Sequence, residues 1–97
     1  MLTRIVKMKF KTEKIAEFEQ KFLSIKAIIR NQPGCHSVAL LQDRTDASIF
    51  FTNSIWSADS DLERYRNTDF FKTTWQQTKL LFDAKPEAWS LTEVDSE

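Results

Sequence analysis

Glycine appears once in this chain, at Gly34, and proline only twice. Long irregular loops and a glycine-rich phosphate cradle are therefore not expected. Cysteine also appears once, at Cys35. An internal disulfide and a cysteine-based zinc site are excluded, and a reduced, cytoplasmic setting is expected. An excess of one charge is missing as well, because 14 basic residues balance 14 acidic ones. With no basic patch, nucleic acid is not an expected partner. No apolar run approaches the roughly 18 residues that span a bilayer, so no membrane partner is expected either. The opening stretch, MLTRIVKMKFKTEK, lacks the apolar core of a signal peptide.

What remains is a folding composition. Of 97 residues, 41% are hydrophobic and eight are phenylalanine, too apolar a mixture for a disordered chain. One domain over residues 1–97 is expected, ordered from Leu2 to Val94, with a frayed DSE tail. A chain of this length has a thin stability margin, which association with a second copy would widen.

Periodicity supplies the elements. Leu2–Phe10 alternates as a strand, with Leu2, Val6, Met8 and Phe10 on one face and Arg4 as the exception. Thr12 is a candidate N-cap for a helix of about five turns, drawn by Ile15, Phe18, Phe22, Ile25 and Ile29. Pro33 and Gly34 end it. Cys35–Asp43 and Ile49–Trp56 form a hairpin around the turn Arg44–Ser48. Ser57, Asp59 and Ser60 are candidate caps for a short helix, Leu62–Arg66. Thr68 caps a further helix through Phe71, Trp75, Thr78 and Phe82, stopped by Lys85-Pro86, and Glu87–Val94 is the last strand.

The order βαββαβ predicts an α+β, ferredoxin-like sandwich with a four-stranded antiparallel sheet. Its third strand carries Phe50, Thr52, Ser54 and Trp56 on one face and Ile49, Phe51, Asn53 and Ile55 on the other. Helices cover only one of these faces. The other is expected to pack against a second copy, making a two-fold homodimer. The space between the paired sheets, and a cavity between helices and sheet, are the candidate ligand chambers.

The segment QPGCHSVALLQDRTDASIFFTNSIW resembles the antibiotic biosynthesis monooxygenase domains: Pro-Gly-Cys opens strand two, an acidic turn follows, and a Trp closes strand three. Tyr65 and TDFFK continue the likeness. The resemblance implies a dimeric α+β barrel. It further implies a monooxygenase that oxidises a small aromatic or quinol-like compound with O₂ and no cofactor. The alternative is a non-catalytic dimeric domain that binds a small apolar ligand. Haem-degrading relatives form a third class. Their pattern places Trp at Tyr65, an iron-ligating His at Trp75, and Asn near Lys7 or Met8, and none of the three stands here.

Cofactor-free oxygenation needs aromatic walls, groups that align substrate oxygens, and shielding from water. Trp56 is a candidate wall, or a core anchor, with Thr52 and Ser54 as orienting hydroxyls and Phe50 on the same face. Tyr65 is a candidate catalytic donor, preferred to a base because a phenol ionises near pH 10. His36, the chain's one histidine, is a candidate base or a surface group. Phe70 is expected at a cavity mouth, whereas Phe71, Trp75 and Phe82 follow the helical stripe into the core. Trp89 is expected across the sheet or at the dimer seam. Arg4 either meets a substrate anion or snorkels to solvent.

Overall fold

Side-chain alternation along the strands decides which residues meet the helices. The computed structural model describes residues 1–96. Its strands are β1 (Leu2–Lys9), β2 (Cys35–Gln42), β3 (Ile49–Trp56) and β4 (Glu87–Thr92), and its helices are α1 (Ile15–Arg30), α2 (Asp59–Arg66) and α3 (Asp69–Lys79). All pairings are antiparallel, in the order β2-β3-β1-β4. This is the expected ferredoxin-like α+β fold.

The β1–β3 register sets Leu2 opposite Trp56, Arg4 opposite Ser54, Val6 opposite Thr52 and Met8 opposite Phe50. Those residues share the covered face. Leu2, Met8, Phe50 and Trp56 are buried there with Phe18 and Phe22 of α1 and Leu62 and Tyr65 of α2. Phe10 seals one end, stacked on Phe18 at 3.9 Å between centroids, with Phe50 edge-on to both. Burying rings of this size dominates the stability of so small a core.

The opposite face has no helix. Trp89 pairs with Ile5, and Leu91 with Thr3, beside Asn53 and Ile55. Leu41, Trp89 and Leu91 stay 42–49% exposed. The Asn53 Oδ1 is buried on this face with no hydrogen-bond partner.

Several boundaries depart from the sequence reading. Thr12 does not cap α1; residues Thr12–Lys14 wind into a 3₁₀ turn, and Lys14 stands at the cap position without a side-chain bond. The cap of α2 is Ala58, and the helix begins at Asp59, earlier than Leu62. Ser57 is unavailable as a cap because its hydroxyl lies 2.6 Å from His36 Nε2 and its N–H donates to the Gly34 carbonyl. Asp59 and Asp61 in the first turn favour the positive end of the helix instead. Helix α3 stops at Lys79, short of Phe82, because Phe82 leaves it to bridge Phe10. Strand β4 ends at Thr92 rather than Val94, β2 at Gln42 rather than Asp43, and β1 at Lys9 with Phe10 in that bridge. Of the frayed tail, Glu97 lies outside the described residues.

Two expectations hold in detail. Thr68 caps α3, its Oγ1 accepting from the Phe71 N–H at 3.1 Å. Gly34 follows α1 at φ +81°, a left-handed conformation that L side chains resist. A Cβ there would also lie 2.3 Å from the Asp61 carboxyl carbon. No helix among the described residues is long and apolar enough to cross a membrane.

Candidate active site

A cavity of about 310 Å³ opens between the covered sheet face and the three helices. That volume sits at the low end of the about 300–1,000 Å³ typical of ligand pockets. The strands contribute Arg4, Val6, Met8, Val38, Thr52, Ser54 and Trp56, and α1 contributes Phe18, Phe22, Ile25 and Ile29. Helix α2 adds Leu62, Tyr65 and Arg66; α3 adds Phe71, Thr74, Trp75 and Thr78.

An aromatic arc bounds the space. Trp56 stacks on Tyr65 at 5.3 Å, and Tyr65 meets Phe71 edge-on at 5.1 Å. Phe71 stacks on Trp75 at 6.2 Å, and Trp75 meets Phe82, which closes on Phe10. The short helix α2 exists to place Tyr65. Its apolar pair Leu62 and Tyr65, three positions apart, faces inward while its charges face solvent.

The polar groups are few. The Trp56 indole N–H donates to Ser54 Oγ at 2.9 Å, leaving the Ser54 proton without an acceptor among the described residues. The Thr52, Thr74 and Tyr65 hydroxyls line the cavity and make no hydrogen bond among the described residues. Burial pushes the Tyr65 phenol up to about 12, with a smaller contribution from Cys35. Tyr65 is therefore a neutral donor at physiological pH. Burial likewise raises the Cys35 thiol, although Arg30 and a backbone hydrogen bond with Ser37 pull the other way.

Charged side chains stand at the boundary. Arg4, Lys21 and Arg66 are basic, and Glu87 is acidic. Glu87 pairs with Lys7 at 3.9 Å, and Lys21 donates to Gln77. Among the described residues no group of three or more metal-binding side chains occurs.

Of the residues singled out from sequence, Arg4, Thr52, Ser54, Trp56 and Tyr65 come together around this cavity. Three do not. His36 is the extra residue of a bulge in β2, exposed and directed to Ser57. Phe50 is 1% exposed, sealed between Phe10 and Phe18. Phe70 packs against the core without lining the cavity. Conversely, Phe71 and Trp75, read as core, form cavity wall. Arg66 and Thr74 join them, and both are marked by helical spacing: Arg66 lies four positions after Leu62, and Thr74 shares a face with Phe71, Trp75 and Thr78.

The chamber lies between helices and sheet of one chain. Comparison with known proteins agrees with the fold. The sequence profile described as "Antibiotic biosynthesis monooxygenase" matches residues 1–77. A solved Pseudomonas aeruginosa protein is 26% identical, superimposes with a TM-score of 0.85, and covers 97% of this chain and 94% of its own. A structure described as an antibiotic biosynthesis monooxygenase reaches a TM-score of 0.90 at 19% identity, covering 98% of this chain and 100% of its own. SnoaB, described as a cofactor-independent oxygenase from Streptomyces nogalater, gives 0.87 at 20% identity, covering 98% and 94%. No curated protein matches the chain.

Proposed function

The chain belongs to the antibiotic biosynthesis monooxygenase family, and from that premise we propose that it is a cofactor-independent monooxygenase acting on a small hydroxylated aromatic or quinol-like compound. The observation that carries the reading is the Tyr65 hydroxyl: a neutral donor, unpartnered among the described residues, at the wall of an apolar aromatic cavity. The hydroxyl keeps some contact with solvent, and a ligand oxygen takes the place of water as its acceptor. The fold shared with a cofactor-independent oxygenase supports the same reading.

Flat aromatic substrate fits between the sheet and the Trp56–Trp75 arc. The phenol loses its proton to give an electron-rich anion. No imidazole lines the cavity, and its one carboxylate, Glu87, is paired with Lys7. The proton therefore leaves to water, and the donor hydroxyls around the cavity favour the anion left behind. Tyr65 donates to the resulting oxyanion, aided by the Thr52 and Ser54 hydroxyls. A ring carbon of the anion transfers electrons to O₂ and bonds to one of its oxygens. The peroxide anion takes a proton back from water, then loses the hydrogen of that carbon together with its distal oxygen as water. The product is a quinone: one substrate and one O₂ give one quinone and one H₂O. The apolar walls keep bulk water from the anion while O₂ reacts.

Two copies pair through the helix-free face, covering Trp89, Leu91, Leu41 and Phe51. The apolar exposure of that face and the orphaned Asn53 oxygen support this part of the proposal.

Oxygen uptake with a panel of naphthols and hydroxyanthracenes tests the activity. Uptake with one of them, lowered about 100-fold in Tyr65→Phe, is the expected result. Binding without uptake across the panel overturns the enzymatic reading in favour of a ligand-binding domain.

A further inference from the structure

Among the cavity's few polar groups, Arg4 and Arg66 form a cationic pair that serves no structural role evident in the fold. Arg4 interrupts the buried face of β1, where its neighbours Leu2, Val6 and Met8 are apolar. Its guanidinium bonds only to a neutral group, the Ser90 hydroxyl, at 2.9 Å. No carboxylate lies within ion-pair distance of it among the described residues. Its charge is disfavoured first by burial and then by Arg66, a second cation on the same cavity wall. Arg66 itself has only a long, exposed contact with Glu63, at 3.9 Å. A guanidinium ordinarily settles beside a carboxylate, which matches its planar fork. Two of them on one chamber wall, Arg4 partly buried and Arg66 exposed at the rim, with no shared acid among the described residues, are arranged for an anion that arrives from outside.

We infer that the ligand of this cavity is an aromatic acid, whose ring system occupies the Trp56–Tyr65–Trp75 arc and whose carboxylate is taken by Arg4 and Arg66. The inference rests on the reading of the cavity as an aromatic-ligand site, and it narrows that reading from aromatic compounds in general to anionic ones. Glu87, the one acid at the boundary among the described residues, lies 3.9 Å from Lys7 and not within ion-pair distance of Arg4 or Arg66. The hydroxyl of Ser90, paired with Arg4 on the adjacent strand, accepts from the guanidinium and orients it before the ligand arrives.

The test is a binding measurement without turnover. Tryptophan fluorescence is followed under anaerobic conditions during titration with 2-naphthoate and with its neutral isostere, 2-naphthamide. Wild type is expected to bind the acid about tenfold more tightly than the amide. Raising the salt concentration should weaken the acid alone. Arg4→Met should bring the two affinities together, Arg66→Met should narrow the gap, and Arg4→Lys should keep part of it. Equal affinities in wild type, binding of neither compound, or an acid preference untouched by both Met variants would overturn the inference. Oxygen uptake separates it from the enzymatic reading. Acid-selective binding with no uptake leaves the inference standing and removes the oxygenase. Uptake equally fast with neutral naphthols does the reverse.

Discussion

The Trp56 and Tyr65 rings lie face to face, centroids 5.3 Å apart and planes 22° from parallel, while the Trp56 indole N–H is held by Ser54 at 2.9 Å. Wall and donor are thus fixed by one another. Ser54→Ala strands a buried indole N–H and is expected to cost about 1–3 kcal/mol in urea denaturation. Trp56→Phe removes the donor and part of the ring. In the double variant the loss should fall short of the sum of the two, because the bond can be broken only once.

Tyr65 is the chain's one tyrosine, so its ionisation can be followed by ultraviolet absorbance without interference. Folded protein should show no tyrosinate until the pH nears about 12. In the unfolded chain the phenol ionises near 10. Between these values the unfolded state has released a proton that the folded state retains. Stability is then complete below about pH 10 and falls as pH rises toward 12. Activity should show no tyrosine titration near neutrality, as befits a donor. A tyrosinate signal at pH 9 in folded protein would overturn the assignment.

Gly34→Ala is expected to destabilise by about 1–3 kcal/mol from the left-handed backbone alone. The new methyl also meets the Asp61 carboxyl, which a Cβ would approach to 2.3 Å. Thermal melts of Gly34→Ala, Asp61→Ala and the double variant separate the two costs. The double variant should recover only the part owed to the carboxyl, because the Cβ at position 61 would still lie 2.6 Å from the new one.

Trp89→Glu and Ile55→Glu place charges on the helix-free face without touching the cavity. Both should shift sedimentation from dimer to monomer. Trp89→Glu should leave the fold intact by circular dichroism, since that side chain is already 42% exposed. A wild-type monomer at micromolar concentration would remove the seam from the account.

Much of this molecule is readable from local pattern. The stripe Ile15–Ile29 and the alternation in β1 and β3 report burial directly, so the sheet and its helices follow from them. The Thr68 cap follows from residue chemistry. Caps that depend on a competing partner do not: Ser57 looks available until its hydroxyl is found beside His36. The site divides the same way. Trp56, Thr52 and Ser54 share a face by strand period, but core and cavity wall use the same side chains. Whether Phe71 and Trp75 fill space or bound it depends on how far α3 stands from the sheet, which no local pattern encodes. His36 was misleading because a bulge changes which way a strand residue faces, and that depends on pairing with β3.

Strand β4 has two audiences. Ala88 and Ser90 face the chamber and Arg4, while Trp89 and Leu91 face away from it. A single residue inserted between Ala88 and Trp89 would invert that assignment downstream, pushing an indole against the guanidinium and sending small side chains outward. Ligand selection and pairing would fail together, though neither set of residues had been altered. Two inserted residues would preserve the parity, and the strand would keep speaking to both sides.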